Sequence, residues 1–251
     1  MNQSQNRIHP ALLPANTPED AARLLFSAKG GAFVATLNLE LLARAYKDAA
    51  FLRRLQSADY RICDGIGAKL LLRKSDPTTR IPRIAGIDLG FSLLSLAARR
   101  GISVFLLGGK PGIADAARRE LHKAYPELHI AGVAHGYFPL CDLPALRGLI
   151  RSSGAELLFV CMGSPLQEDW IATNRHYLPS VRLFLPLGGS LDVWAKALPR
   201  APHLWRKVGM EWLWRILRQP SRILRLAASC AFFLNPQGKL FQNRSNLFQI
   251  E

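Results

Sequence analysis

The sequence predicts an α/β protein: one mostly parallel sheet with helices on both faces, followed by a basic helical appendage. Three observations carry that prediction. Short apolar runs near residues 32–36, 60–63, 103–107, 129–133, 156–162 and 182–187 alternate with segments of helical spacing. The loops between them are short, as expected when crossover helices join parallel strands in one compact sheet. Beyond Trp194 the character changes, because residues 196–251 hold 10 Lys or Arg against 2 Asp or Glu, a net +8 within the chain's +15. The layout is Rossmann-like, with a flexible lead-in over residues 1–18, a core over 19–195 and a Trp-rich basic appendage over 196–251.

Composition sets the outer bounds. A chain of 251 residues with 49% hydrophobic content buries a sizeable core and is not a disordered protein. Cys63, Cys141, Cys161 and Cys230 are scattered, with no Cys-x-x-Cys pair, and read as reduced cytoplasmic thiols. The first 20 residues are polar and carry Pro10, Pro14 and Pro18, so no targeting segment is expected. The apolar run at 226–234 is too short to cross a bilayer, which takes roughly 20 residues.

The elements follow in order. Helical spacing over 19–28 ends at Lys29-Gly30-Gly31, and a buried strand at 32–36 delivers Thr36 and Asn38 to its end. These two residues lie on one side of an extended chain and offer a hydroxyl and an amide to a polar ligand. Asn38 also suits the cap of the helix predicted over 41–56. The strand at 60–63 stops at Asp64, followed by Gly65 and Gly67, whose missing Cβ lets backbone approach a ligand. A carboxylate there is a candidate catalytic base, since open α/β sheets bind ligands beyond the carboxyl ends of their strands. An Asx turn or helix cap is the competing interpretation.

A short helix over 68–74 and a Pro- and Thr-bearing loop over 75–82 lead to Arg83, whose planar fork suits a diphosphate or carboxylate. Its plain alternative is a solvated surface charge. After the helix over 87–100, the strand at 103–107 turns through Gly108-Gly109-Lys110-Pro111-Gly112 into a helix ending near 124. Helix-start amides favour anions, but this spacing is neither Gly-x-Gly-x-x-Gly nor a Walker loop, so no NAD or ATP motif is present. The next strand ends in His135-Gly136-Tyr137-Phe138, where Tyr137 can stack on a base or simply pack.

A helix over 143–152 precedes the strand at 156–162 and Gly163-Ser164-Pro165-Leu166-Gln167-Glu168-Asp169. Pro165, Glu168 and Asp169 fit a helix start, while the Gln167 amide can read a sugar hydroxyl or a uracil edge. The last strand, at 182–187, ends in Gly188-Gly189-Ser190-Leu191-Asp192, a glycine-acid ending like that at Asp64. Pro199-Arg200-Ala201-Pro202 reads as a linker-like break. Beyond it, Arg215, Arg218, Arg222 and Arg225 fall on one helical stripe beside Trp212, Leu213, Ile216 and Leu217, with a kink at Pro220. Such a stripe suits an anionic membrane surface, and equally a helix docked on its own body.

Taken together, these stretches resemble the bacterial WecG/TagA/CpsF glycosyltransferases, glycosyltransferase family 26. The resemblance spans about residues 32–225. It rests on Thr36-x-Asn38-x-Glu40, Asp64-Gly65-x-Gly67, Arg83-x-x-Gly86-x-Asp88-Leu89, Leu107-Gly108-Gly109 with Pro111-Gly112, and Gly136-Tyr137-Phe138. Further on it includes Gly163-x-Pro165-x-Gln167-Glu168, Gly188-Gly189-x-x-Asp192, Arg200-Ala201-Pro202 and Gly209-x-Glu211-Trp212-x-x-Arg215. The chain departs from the family pattern at Ala195-Lys196-Ala197, where relatives often carry a glycine, and at Ser164 and Leu166.

That resemblance implies inverting transfer of a hexose from a UDP-sugar donor to a polyprenyl-diphosphate-linked sugar acceptor, at the inner face of the cytoplasmic membrane. It implies Asp64 as base, with Thr36, Asn38, Arg83, Gly109, Gly136, Tyr137, Gln167 and Asp192 lining the substrate site. The C-terminal appendage would dock on an anionic membrane surface, with Arg215, Arg222 and Arg225 serving the membrane or the acceptor diphosphate. The chain contains no Asp-x-Asp pair, so metal-independent transfer without a cofactor is expected.

Two other classes compete. A nucleic-acid-binding module would account for the charge, but no helix-turn-helix, RNP or zinc signature is present, and no nucleic-acid partner is expected. A non-catalytic nucleotide-binding scaffold would keep the glycines and tolerate loss of Asp64. Assembly with further copies of the chain, as a homo-oligomer, stays open.

Overall fold

A computed structural model describes residues 12–28, 30–75, 77–207 and 209–218, the side chains of Ser75 and Arg215 excepted. Arg222, Arg225 and Cys230 lie outside the described residues. Six strands form one fully parallel sheet: β1 (Ala32–Leu37), β2 (Tyr60–Cys63), β3 (Val104–Gly108), β4 (Ile130–Ala134), β5 (Leu157–Cys161) and β6 (Leu183–Pro186). Their spatial order is β2-β1-β6-β5-β3-β4. The four inner strands are buried along their whole length, whereas the edge strand β4 is only half-buried throughout. Burial on both faces is why their sequences read as unbroken apolar runs instead of alternating ones.

Eleven α-helices connect and follow these strands among the described residues. They are α1 (Pro18–Phe26), α2 (Leu39–Lys47), α3 (Ala49–Gln56), α4 (Ile66–Ser75), α5 (Gly86–Arg100), α6 (Ile113–Ala124), α7 (Leu143–Ser152), α8 (Leu166–Asn174), α9 (Ser190–Trp194), α10 (His203–Lys207) and α11 (Glu211–Arg218). One core packs α2, α3, α4, α7 and α8 on Phe33, Ala35, Leu37, Phe105 and Leu107. The other packs α1, α5, α6 and α9 on Ala32, Val34, Val104 and Leu106. Alternate residues of one strand thus feed opposite layers, as the pleat requires.

The single helix expected over 41–56 is two helices. Asp48 adopts extended backbone (φ −126°, ψ 101°), and its carboxylate accepts the amides of Ala50 and Phe51 at 2.9 and 3.0 Å. One residue therefore ends α2 and caps α3, an arrangement that aspartate favours because its side chain competes for backbone donors. The Pro199 to Pro202 stretch is likewise no free linker, since Ala201 is buried and Arg200 bonds to Asp88. No helix of the described residues is long and apolar enough to cross a membrane.

Neighbouring strands are left through opposite faces at four points of the carboxyl edge, β1/β6, β6/β5, β5/β3 and β3/β4, and two of these frame the site. From β3 the chain leaves through α6 on one face, and from its neighbour β5 through α8 on the other. Neighbours β1 and β6 diverge in the same way, through α2 and α9. Divergence of neighbouring connections leaves a crevice beyond the strand ends.

Candidate active site

The first crevice is built around Asp64. Its amide donates to the Leu37 carbonyl at 2.7 Å, extending the β1/β2 ladder by one residue, and Gly65 then turns away at φ +89°. That turn uses the left-handed region in which a side chain is strained. The Ile84 amide donates to the Cys63 carbonyl at 2.9 Å, which brings the start of α5 beside the strand end. A Cβ on Gly86 would lie 3.4 Å from Asp64 Oδ2, 3.4 Å from Thr36 Cγ2 and 3.3 Å from Leu187 Cδ2. Asp64 and Thr36 thus converge on the first turn of α5, whose positive end favours an anion there. Thr36 is buried and its hydroxyl donates to the Pro186 carbonyl at 3.2 Å, tying β1 to β6.

Cations surround this corner. The Cys63 thiol is pushed up to about 12 by burial, with the Asp64 charge adding to the effect and Lys69 and Arg83 opposing it. Both cations stand on segments that meet the end of β2, Lys69 with its amide bonded to the Gly65 carbonyl at 3.3 Å and Arg83 next to Ile84. Lys69, in the first turns of α4, was not among the residues singled out from sequence; its position five residues after Asp64, on a helix that starts at the Asp-Gly-x-Gly turn, was the available signal. Arg83 is half-buried, and Nη2 donates to the Arg206 carbonyl at 3.2 Å. It is a bridge to the C-terminal segment and not the solvated charge considered above.

The second crevice is made of backbone. Gly108 sits at φ +134°, where a Cβ would fall 2.3 Å from the Cys161 carbonyl oxygen. The Gly109 amide donates to that same oxygen at 3.1 Å, and the Gly136 amide to the Gly109 carbonyl at 2.9 Å. A Cβ on Gly136 would meet Met162 Cγ at 3.0 Å. The ends of β3, β4 and β5 therefore close on one another through glycine. The start of α6 follows Gly112 with no side chain capping its amides. Tyr137, 66% exposed, stands at the rim. Asp192 on α9 is half-buried, and its charge is felt at Cys161, whose thiol burial pushes up to about 12.

Two expected ligand contacts have structural partners instead. Gln167 is only 4% exposed; its carbonyl oxygen accepts the Gly188 amide at 2.8 Å, and its NH₂ donates to Glu168 Oε1 at 2.8 Å. It ties α8 to the turn after β6, with both ends of its amide bonded inside the protein. Burial wins here because an amide removed from water must find partners inside the protein. Asn38 Oδ1 accepts the Leu41 amide at 2.9 Å as the cap of α2, which leaves only its NH₂ for a ligand. Glu168 is fully buried, and its carboxyl is shifted toward the neutral form, mainly by that burial.

Among the described residues, no three His, Cys, Asp or Glu side chains gather as a metal site. What the edge does offer is a carboxylate beside a threonine methyl and two cations at one crevice, and at the other a glycine floor, a helix start that no side chain caps and an exposed tyrosine. Chemically, a carboxylate can accept a proton, and cations and free helix amides can hold an anionic group. The model of the glycosyl transferase WecG/TagA/CpsF family matches residues 11–245, and the chain belongs to that family.

Proposed function

We propose that this glycosyltransferase moves a hexose from a UDP-sugar to a polyprenyl-diphosphate-linked saccharide with inversion and without a metal, in bacterial cell-surface polysaccharide synthesis. The hexose is N-acetylmannosamine, its uronic acid or glucose. The observation that carries the proposal is the approach of Asp64 Oδ2 and Thr36 to the Gly86 turn at the carboxyl edge. Asp64 takes the proton of the acceptor hydroxyl as that oxygen bonds to the anomeric carbon. The bond from the anomeric carbon to the diphosphate oxygen breaks on the opposite side, and UDP leaves with the electron pair.

The developing charge on UDP falls to Arg83 and Lys69, beside the end of β2. In the glycine crevice Tyr137 stacks on the uracil and Asp192 accepts from ribose hydroxyls. The acceptor arrives with its lipid in the inner leaflet of the cytoplasmic membrane. Leu204 and Leu217, 69% and 62% exposed, together with Trp212, Lys207 and Arg218, support docking of α10 and α11 on an anionic surface. For Arg215, Arg222 and Arg225 the proposed role is binding that surface or the acceptor diphosphate.

The test is UDP release from a panel of UDP-sugars, with a short-chain prenyl-diphosphate-linked sugar and EDTA present. Acceptor-dependent release from one donor is expected and names the sugar. Absence of release from every donor, with anionic lipid vesicles also supplied, rejects the transferase reading in favour of a nucleotide-binding scaffold.

A further inference from the structure

The C-terminal segment is fastened to the Asp64 crevice from both directions. Arg200 reaches into the first turn of α5, where Nη2 donates to Asp88 Oδ1 at 2.5 Å. Its Nε is buried, has no hydrogen-bond partner among the described residues, and lies 4.0 Å from Glu211 Oε1 at the start of α11. Its guanidinium carbon sits 5.8 Å from the centre of the Phe91 ring, one turn further along α5. In the reverse direction, Arg83 of the core donates to the Arg206 carbonyl, and Gly209 packs closely on Ile66 and Arg83. Between these fastenings lies Gly86, whose Cα faces Asp64 Oδ2.

The strength of the Arg200 contact follows from its surroundings. The Arg200 side chain is 18% exposed and Asp88 39%, so water screens the pair only in part. Charge-assisted hydrogen bonds of this kind are roughly twice as strong as neutral ones, and a guanidinium holds its geometry through a planar fork. A cation at the N-terminal end of a helix is unfavourable by itself, so Arg200 is held there by Asp88 and not by the helix.

We propose that Arg200 is a positioning residue. By holding Asp88 it fixes the first turn of α5 against Asp64, and by anchoring residues 200–211 it keeps the Arg206 carbonyl on Arg83. Seating of the C-terminal segment and readiness of the catalytic crevice are then one coupled event, in which release of the segment frees both the α5 turn and Arg83. This rests on the assignment of Asp64 as base, but the latch itself is a statement about backbone and can be tested without turnover.

The experiment pairs amide hydrogen exchange with steady-state kinetics on full-length Arg200→Gln, Arg200→Lys and Asp88→Asn proteins. The reporting amides are those of Asp88 and Leu89, both bonded to the Ala85 carbonyl at 3.0 Å. Exchange there should quicken roughly tenfold in Arg200→Gln and Asp88→Asn, the scale of one lost charged hydrogen bond. Turnover should fall by a similar factor while the donor KM stays within about twofold, and Arg200→Lys should recover part of the loss. The double variant Arg200→Gln/Asp88→Asn should be no worse than either single one.

Unchanged exchange at Asp88 and Leu89 in the Asp88→Asn protein, which keeps Arg200, overturns the latch whatever the activity. A fall in turnover matched only by a fall in folded fraction overturns the positioning role. If the native protein transfers no sugar but exchange still quickens, the latch stands and the functional reading fails.

Discussion

The two crevices at the carboxyl edge use glycine for opposite ends. At Gly108 the missing side chain allows backbone to meet backbone, because a Cβ would sit 2.3 Å from the Cys161 oxygen. At Gly86 a Cβ would sit 3.3 to 3.4 Å from side-chain atoms of Leu187, Asp64 and Thr36, which form the wall there. One crevice therefore has a floor of backbone with Tyr137 and Asp192 beside it, suited to holding a ligand. The other is lined by the Asp64 carboxylate with the Thr36 methyl and Leu187 beside it, a setting suited to proton transfer. The same residue type marks packing in the first and access in the second, and only its neighbours tell them apart.

The sharpest way to break that contrast is Asp64→Asn, which should lower acceptor-dependent UDP release by about 10²- to 10⁴-fold. Gly108→Ala should instead strike the fold, destabilising it by about 3 kcal/mol in urea unfolding through strain at φ +134° and collision with Cys161. Gly86→Ala should do the reverse, losing roughly tenfold in turnover by displacing Asp64 while changing stability by less than about 1 kcal/mol.

Smaller effects test the supports beneath the crevices. Burial raises the Glu168 pKa above its ordinary 4.5, so the folded state binds a proton more readily than the unfolded one. That contribution to stability is complete below pH 4.5 and is lost as pH rises through the raised value. Glu168→Gln should remove this decline, and the difference in urea midpoint between native and variant should shift in favour of the variant as pH rises. The smallest effect is at Lys196, which holds φ +56° without being glycine while Nζ pairs with Glu120 at 2.6 Å. Lys196→Ala and Lys196→Gly both lose the pair, so the glycine variant should be the more stable by about 1 kcal/mol, the backbone strain alone.

The sheet was legible because inner strands such as Val104–Gly108 and Leu157–Cys161 are apolar from end to end, and even the edge strand Tyr60–Cys63, which carries Arg61, matches its expected bounds. The edge of β2 also revealed Asp64, since an acid followed by two glycines closes an apolar run there. Asp48 was equally visible, but its capping bonds went unread within a segment of otherwise helical spacing. What sequence order does not display is which partner a polar side chain finds. The inward turn of Gln167 depends on Gly188, and Arg83 and Arg200 find their partners more than 100 residues away. The linker-like look of Pro199 to Pro202 hid a docking point for the same reason.

Calorimetric titration of UDP into the Asp64→Asn protein, with turnover measured on the same sample, separates the two crevices most directly. If the glycine floor holds the nucleotide and Asp64 takes the proton, UDP affinity should stay within about threefold of native while transfer is lost. Loss of UDP binding together with turnover would make Asp64 a nucleotide contact, and full activity in the variant would remove it from the chemistry.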